Sequence, residues 1–122
     1  MSVTFRNACE SDAEELTAFF KKVFTGTFAH LYSMENLDAF LTGRTAPKMA
    51  RELRDGAFAI HVAEEAGQIV GYIKLGPPSL PFEPKGRPIE LRQLYIDSKL
   101  HGAGVARTLT DWAIAEARGR DA

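Results

Sequence analysis

Two glycines separated by one residue, Gly102 and Gly104, lie in the segment KLHGAGVARTL. They follow an apolar run that ends at Ile96 and precede a segment whose apolar residues recur at helical spacing. A helix that starts directly after a strand and a short turn leaves backbone N–H groups unpaired at the positive end of its dipole. Such a helix start binds anions, and glycine removes the side chains that would block a phosphate. The same spacing is also typical of a plain strand-to-helix turn, so the surrounding residues must decide between the two.

Charged residues surround this turn, namely Lys99, His101 and Arg107. The histidine adds positive charge only when protonated, and it titrates near neutral pH. Two common nucleotide-binding motifs do not fit. A P-loop needs lysine followed by serine or threonine after its second glycine, and Val105 stands there instead. A Rossmann fingerprint opens the first strand–helix unit, whereas this turn comes late in the chain, after a predicted hairpin.

Composition limits the possible classes of function. A chain of 122 residues with 45% hydrophobic and 25% charged residues predicts one globular domain, spanning 1–122. A net charge of −1 gives no overall field that would attract nucleic acid or an anionic membrane. Cys9 is the single cysteine, and His30 and His61 lack the spacing of metal ligands. We therefore expect a cytoplasmic protein that uses no metal and has no nucleic-acid or membrane partner.

Hydrophobic periodicity predicts the element order β-α-α-α-β-β-β-α, an α/β fold with a largely antiparallel central sheet. The first helix is expected to open with a capping box from Ser11 to Glu14 and to end at Gly26. Two shorter helices are expected after Ser33 and near 45–47. The four strands are expected in VTFRNA, FAIHVAEE, QIVGYIKLG and IELRQLYI, and the last helix shows one apolar face made of Val105, Leu109, Trp112 and Ala113.

In this context the chain resembles the GNAT family of N-acetyltransferases. Their coenzyme A signature, Q/R-x-x-G-x-G/A, follows a strand that ends like L-Y-V and precedes an amphipathic helix, as in LYIDSKLHGAGVARTL here. His101 stands where the family usually has glutamine or arginine, which is one departure. The resemblance implies the GNAT fold and acetyl-CoA as cosubstrate. It implies a pantetheine arm paired with the backbone of Leu94, Tyr95 and Ile96, and a pyrophosphate held at His101, Gly102, Ala103, Gly104, Val105, Ala106 and Arg107.

The segment FTGTFAHLYSMENLDAFL resembles the PaiA type of the family, which acetylates spermidine and spermine. This resemblance implies transfer of an acetyl group to a primary amine, with a polyamine as one candidate. A polyamine needs carboxylates, and the candidates are Glu35, Asp38, Glu83 and Glu90; solvated surface acids explain Glu35 and Asp38 equally well. Its aromatic residues are also typical of core packing. The alternative is a degenerate GNAT-type module that binds coenzyme A or a partner without turnover.

Glu90 is the candidate catalytic residue. A protonated amine must lose a proton before it attacks the thioester, and a carboxylate or a water held by one can accept that proton. Alternation along the fourth strand predicts that Glu90 shares a face with Leu94 and Ile96, while Gln93 and Tyr95 occupy the other face. An exposed strand carboxylate paired with a cation is the competing interpretation. Backbone N–H groups of the same strand are expected to polarise the thioester carbonyl.

Members of the family usually continue beyond this helix with a β-α-β-β segment that carries a tyrosine acting as general acid. The chain ends at Ala122, so we expect it to represent the N-terminal part of the fold. Its fourth strand would then be an open edge with apolar residues poorly covered. Pairing in a homodimer, or with a complementing C-terminal piece, is the expected way to cover that edge.

Overall fold

The computed structural model describes residues 3–77, 89–100, 102 and 104–120. Its elements follow the predicted order, with short 3-10 turns at Glu10–Asp12, Ala29–Leu31 and Ser98–Leu100. The strands are β1 (Val3–Asn7), β2 (Ala59–Glu65), β3 (Gln68–Gly76) and β4 (Glu90–Ile96), and the helices are α1 (Ala13–Phe28), α2 (Met34–Thr42), α3 (Ala46–Arg54) and α4 (Val105–Gly119).

The four strands form one antiparallel sheet in the order β1-β2-β3-β4. The hairpin between β2 and β3 turns at Ala66 and Gly67, which both have positive φ angles of 53° and 79°. Two consecutive positive φ angles match the twist of the flanking strands, which is why the Ala-Gly pair makes a tight hairpin. Within the part of the chain that the structure describes, β1 and β4 are the edges of the sheet.

Each face of the sheet carries its own apolar core. Helices α1 and α3 cover one face, where Leu16, Phe20 and Tyr72 are buried. Helix α4 covers the other face, where Ile73 and Leu109 are buried. Within β3, Ile69 and Tyr72 belong to the first core and Val70, Ile73 and Leu75 to the second, because Val70 is an extra residue in the pairing with β2 and interrupts the alternation. The sheet therefore separates an α1–α3 side from an α4 side.

A bulge in β4 reverses the predicted face of Glu90. Lys74 of β3 pairs with Gln93, but the next residue, Leu75, pairs with Leu91, so Arg92 is an extra residue without its own partner in β3. An extra residue shifts the alternation by one position. Glu90 consequently pairs with Gly76 and lies on the α1–α3 side. The expectation that Glu90 shares a face with Leu94 and Ile96 is wrong for this reason.

The start and the end of α1 differ from the prediction. A 3-10 turn precedes the helix, and the carboxylate of Asp12 accepts a hydrogen bond from the Cys9 N–H (2.8 Å) and two from the guanidinium of Arg6 (2.8 Å each). Asp12 thus caps the 3-10 turn, and no side chain among the described residues caps α1 itself, so the capping box expected from Ser11 to Glu14 is not what starts this helix. At the other end, the helix runs through Gly26 to Phe28, because Phe24 and Phe28 pack their rings at 5.0 Å and hold the last turn.

No helix within the described ranges is long and apolar enough to cross a membrane. Among the same residues, no group of three or more histidine, cysteine, aspartate or glutamate side chains is arranged to hold a metal ion.

Candidate functional site

The turn before α4 has the backbone geometry that the glycine spacing predicts. Gly102 and Gly104 have φ angles of 87° and 84°, in the left-handed region that disfavours other residues. A Cβ atom built on either glycine would meet nothing within 4 Å, so both glycines face open space. Gly104 is the N-cap residue of α4, and no side chain caps this helix start. The first N–H groups of α4 are therefore available to a ligand.

Packing beneath the turn holds α4 in place. Val105, which is 3% exposed, and the buried Leu109 anchor the first turns in the α4-side core. The Thr108 N–H and hydroxyl both donate to the Gly104 carbonyl at 3.1 Å. Ala106 and Arg107 are exposed on the opposite side of this first turn. The predicted site residues His101 and Ala103 lie outside the described residues.

Asp97 organises the chain between β4 and the turn. Its N–H donates to the Val70 carbonyl at 2.8 Å, and its carboxylate accepts hydrogen bonds from the Lys99 N–H and from the Lys22 ammonium, both at 3.2 Å. Although burial opposes the shift, these hydrogen bonds lower the pKa of Asp97. A carboxylate that stays ionised fixes the direction in which the chain leaves β4.

The C-terminal half of β4 has side chains on both faces of the sheet. Leu94 and Ile96 lie on the α4 side, whereas Tyr95 packs edge-on against Phe20 at 5.2 Å and beside Tyr72 at 5.9 Å. In the described part of the chain no strand pairs with the outer edge of β4. The main chain of Leu94, Tyr95 and Ile96 therefore borders a free edge that leads toward the glycine turn, as the resemblance implies.

A cavity of about 380 Å³ opens on the α1–α3 side of the sheet. It is bounded by α1, by the connection into α3, by α3 itself and by β3 and β4. Its charged and amide-bearing lining residues are Arg44, Lys48, Glu52, Lys74 and Gln93. A smaller cavity of about 180 Å³ shares four of these residues and adds Arg92, so the two form one cleft that reaches the bulge of β4.

An ion pair forms one wall of this cleft. Lys74 lies in the middle of β3 and is 5% exposed, and its Nζ atom lies 2.5 Å from the carboxylate of Glu52 on α3. Burial lowers the pKa of Lys74, the ion pair with Glu52 opposes that shift, and the positive charges of Arg44 and Arg92 add to it. Glu52 is the carboxylate of the main cavity lining, and it is already engaged by Lys74.

The other two cations of the cavity have different partners. The guanidinium carbon of Arg44 lies 4.6 Å from the ring centroid of Phe40 and 5.7 Å from that of Phe20. Stacking on aromatic faces suits a planar cation and leaves its N–H donors at the edge. Lys48 donates from Nζ to the Gly43 carbonyl at 2.9 Å. No ion pair with a carboxylate is formed by Arg44 or Lys48 in the described residues.

Glu90 is the first residue of β4, close to the bulge, and it is not among the residues that line either part of the cleft. Its carboxylate is 3.5 Å from Nε of Arg92, and it is partly exposed. The competing interpretation, a strand carboxylate paired with a cation, therefore describes a contact that is present. The same register places Glu90 on the face that carries the cavity.

The cations of the cavity were not among the candidates for the acceptor site, because only acidic residues were considered for that role. Glu35 and Asp38 are exposed on α2 and do not line the cavity, and Glu83 lies outside the described residues. The expectation that the aromatic residues of this region form core is confirmed, since Phe24 is buried and stacks on Phe40 at 4.6 Å. One signal was available: a lysine in the otherwise apolar strand QIVGYIKLG.

Comparison with known families and structures agrees with this geometry. Residues 28–122 match the family described as Acetyltransferase (GNAT) domain. Comparison with curated proteins gives no significant sequence match. The resemblance to solved structures extends along nearly the whole chain.

Among solved structures, the fold is similar to a PaiA N-acetyltransferase from Thermoplasma acidophilum in complex with coenzyme A, at a TM-score of 0.80 and 20% identity over 98% of this chain and 76% of that chain. It is also similar to a GCN5-related N-acetyltransferase from Ralstonia eutropha, with a TM-score of 0.76 and 22% identity over 98% of this chain and 78% of that chain. A ribosomal-protein-alanine N-acetyltransferase from Brucella melitensis is similar with a TM-score of 0.65 and 20% identity over 99% of this chain and 75% of that chain.

The described residues fit the coenzyme that this family uses. Two glycines with positive φ face open space, and the uncapped N–H groups of α4 follow them, which is the donor set that a pyrophosphate requires. The antiparallel sheet with helices on both faces is the fold of the solved relatives. The chain therefore belongs to the GNAT acetyltransferase family, whose cosubstrate is acetyl-CoA.

Proposed function

We propose that this chain transfers the acetyl group of acetyl-CoA to a primary amine. The observation that carries the proposal is the meeting of two different sites at β4. The uncapped start of α4 follows the C-terminal end of this strand, and Arg92 and Gln93 in the middle of the strand line the cleft on the α1–α3 side. A thioester lying along β4 would then be within reach of an amine bound in the cleft.

The coenzyme is assigned to the edge of β4 and to the turn. The backbone of Leu94, Tyr95 and Ile96 pairs with the pantetheine arm, and the pyrophosphate sits against residues 101–107. For the described part of this turn, the support is the pair of positive φ angles and the open space above both glycines. His101 and Ala103 remain predictions from the sequence pattern.

Glu90 is proposed as the residue that accepts the proton of the incoming ammonium, directly or through a water molecule. The neutral amine then forms a bond to the acetyl carbon, the carbon–sulfur bond breaks, and the thiolate leaves with the electron pair and takes up the proton that the new amide nitrogen loses. Backbone N–H groups of β4 polarise the carbonyl during this step. Support for Glu90 comes from its position on the cavity face of the sheet, which the bulge produces.

A polyamine such as spermidine is the acceptor that the likeness to PaiA-type enzymes suggests. The described lining of the main cavity holds three cations, Arg44, Lys48 and Lys74, and one carboxylate, Glu52, which Lys74 already engages. Like charges at short range disfavour a polycation in such a cleft. The charge of the cavity therefore supports an amine acceptor other than a polyamine.

The proposed activity is tested with the 122-residue chain and a panel of primary amines, measuring free thiol released from acetyl-CoA. We expect release that depends on both the amine and the protein. A chain that is stabilised against heat by acetyl-CoA but releases no thiol with any amine would instead be the binding module without turnover. The exposed edge of β4, with Leu91 53% exposed, makes self-association a further expectation, which sedimentation at the assay concentration tests.

A further inference from the structure

We propose that the cleft on the α1–α3 side binds a carboxylate of the acceptor, so that the acceptor is a small amine carrying a carboxylate, as an amino acid does. The inference rests on the proposed acetyl transfer, because it names the substrate class of that same site. It is carried by the side chains of the cleft and by their partners.

The first observation is the balance of charge. Lys74 and Glu52 neutralise each other through their 2.5 Å contact, which leaves Arg44 and Lys48 as the uncompensated charges of the main cavity lining in the described residues. A cavity whose walls carry surplus positive charge attracts anions and raises their local concentration. A substrate group of opposite sign is the simplest occupant of such a site.

The second observation is the way in which Arg44 is held. Its guanidinium stacks on Phe40 at 4.6 Å and has no carboxylate partner among the residues that the structure describes. Stacking restricts the side chain without using its N–H groups. A planar fork of donors held in this way matches the two oxygens of a carboxylate.

Lys48 can supply a further donor to the same oxygens. Its ammonium uses one N–H toward the Gly43 carbonyl at 2.9 Å, and an ammonium carries three N–H donors. The contact with Gly43 fixes the ammonium at the wall of the cavity that Arg44 also lines. Arg44 and Lys48 together therefore offer several charge-assisted hydrogen bonds within the cleft.

The same cleft reaches the reacting strand, because Arg44 and Gln93 line both of its parts. Gln93 of β4 lines the cavity, and the next residue, Leu94, begins the segment assigned to the pantetheine arm. An acceptor whose carboxylate binds Arg44 would direct its amine toward β4. The cavity volume of about 380 Å³ lies near the lower end of the range for small-molecule sites, which suits a molecule of amino-acid size.

Matched pairs of acceptors test this inference. Thiol release is measured with L-alanine, L-methionine and L-phenylalanine, with the amide of each, and with spermidine. We expect the best acid to exceed its own amide by at least tenfold in kcat/KM. We expect Arg44→Gln to lower kcat/KM for that acid about tenfold while leaving its amide within twofold. Arg118→Gln, which removes the same charge from an exposed position on α4, is the matched control and should change neither.

Equal or better turnover of the amides, or of spermidine, would overturn the inference, and so would an equal loss for acid and amide in Arg44→Gln. A rise in the KM for acetyl-CoA alone in that variant would also overturn it, since the cation would then serve the coenzyme. The folded state of each variant is checked by thermal unfolding, and Arg44→Lys, which keeps the charge, should retain part of the preference.

A second arm separates this inference from the proposed function. Binding of the N-acetylated amino acids and of their amides is measured by ligand-observed NMR without coenzyme. Acid-selective binding that Arg44→Gln abolishes supports the anion site even if no thiol is released, in which case the proposed transfer alone fails. Thiol release without any preference for acids retains the transfer and removes the anion site. No release and no binding would remove both.

Discussion

The two halves of the candidate site are built from different parts of the polypeptide. The coenzyme half consists of main chain: two glycines with positive φ, the uncapped start of α4 and the edge of β4. The acceptor half consists of side chains that come from helices and strands distant in sequence. Backbone donors recognise the part of a ligand that never changes, whereas side chains can be exchanged without altering the fold. The proposed coenzyme half is therefore set by the fold, and the proposed acceptor half is set by this particular sequence.

Strand β4 contributes residues to both halves of the proposed site. Beyond the bulge, Leu94 and Ile96 point to the α4 side, while Gln93 points into the cavity. One extra residue at Arg92 brings Glu90 onto the cavity side as well. The bulge therefore determines which half of the site Glu90 can serve.

The largest effect is expected from Glu90→Gln, which keeps the shape of the side chain and removes the proposed base. We expect kcat to fall about 100-fold, in the range that proton transfer contributes, with the KM for acetyl-CoA little changed. Arg92→Gln is the matched control, because it breaks the same 3.5 Å ion pair and leaves the carboxylate in place. A Glu90→Gln enzyme with an unaltered rate and pH profile would remove Glu90 from the mechanism and leave the ion pair as its role.

The ion pair of the acceptor half should be the next most sensitive feature. Lys74→Met leaves Glu52 without its cation, and we expect the free energy of unfolding to fall by about 2.5 kcal/mol, a little below the value for fully buried pairs because Glu52 is partly exposed. Urea unfolding measures the change. The double variant Lys74→Met/Glu52→Leu should recover most of the loss, since an apolar pair needs no charge partner. Equal destabilisation in the single and double variants would show that the pair does not act as a unit.

Acid should weaken the turn that precedes α1, because this turn depends on the ionised carboxylate of Asp12, whereas no described side chain caps the start of α4. Hydrogen bonds from Arg6 lower the pKa of Asp12 from 3.8 to about 2. A lowered pKa contributes stability above the unfolded value that is lost as the pH falls from about 4 through 2, and here it amounts to about 2 kcal/mol. Urea unfolding across this pH range measures it. The variant Asp12→Asn should lack this part of the acid dependence, and an unchanged slope would contradict the assignment.

The smallest of these effects concerns the coenzyme half. Gly104→Ala places a Cβ atom over the turn and strains a residue with a φ angle of 84°. Gly67→Ala is the matched control, because that glycine has a φ angle of 79°, equally open surroundings and a position in the hairpin between β2 and β3. We expect similar losses of stability in both variants. The Kd for acetyl-CoA should rise about tenfold more in Gly104→Ala, and equal affinities would show that the turn does not bind the coenzyme.

The features that could be predicted from the sequence belong mainly to the proposed coenzyme half of the site. The order of elements, the hairpin and the glycine turn are local, since each depends on residues within a few positions of one another. Ser33 and Thr45 cap α2 and α3 where their positions indicate, with side chains that accept hydrogen bonds from the N–H groups of Asn36 and Lys48.

What the sequence could not show depends on contacts between distant segments. The bulge at Arg92 changes the pairing with β3, and no local pattern marks the extra residue. The end of α1 is held by aromatic packing that outweighs the low helix propensity of Gly26. The cleft brings Arg44 to Lys74 through tertiary packing, so its surplus of cations is invisible in a chain whose net charge is −1.

One measurement tests most directly whether the coenzyme binds at the glycine turn and along β4 as proposed. Amide resonances of the isotope-labelled 122-residue chain are followed by two-dimensional NMR during titration with coenzyme A. We expect the largest shifts on Gly102, on Gly104 to Arg107 and on Leu94 to Ile96, with α2 unaffected. Shifts confined to the cleft around Arg44, or to α2, would contradict the proposed binding mode.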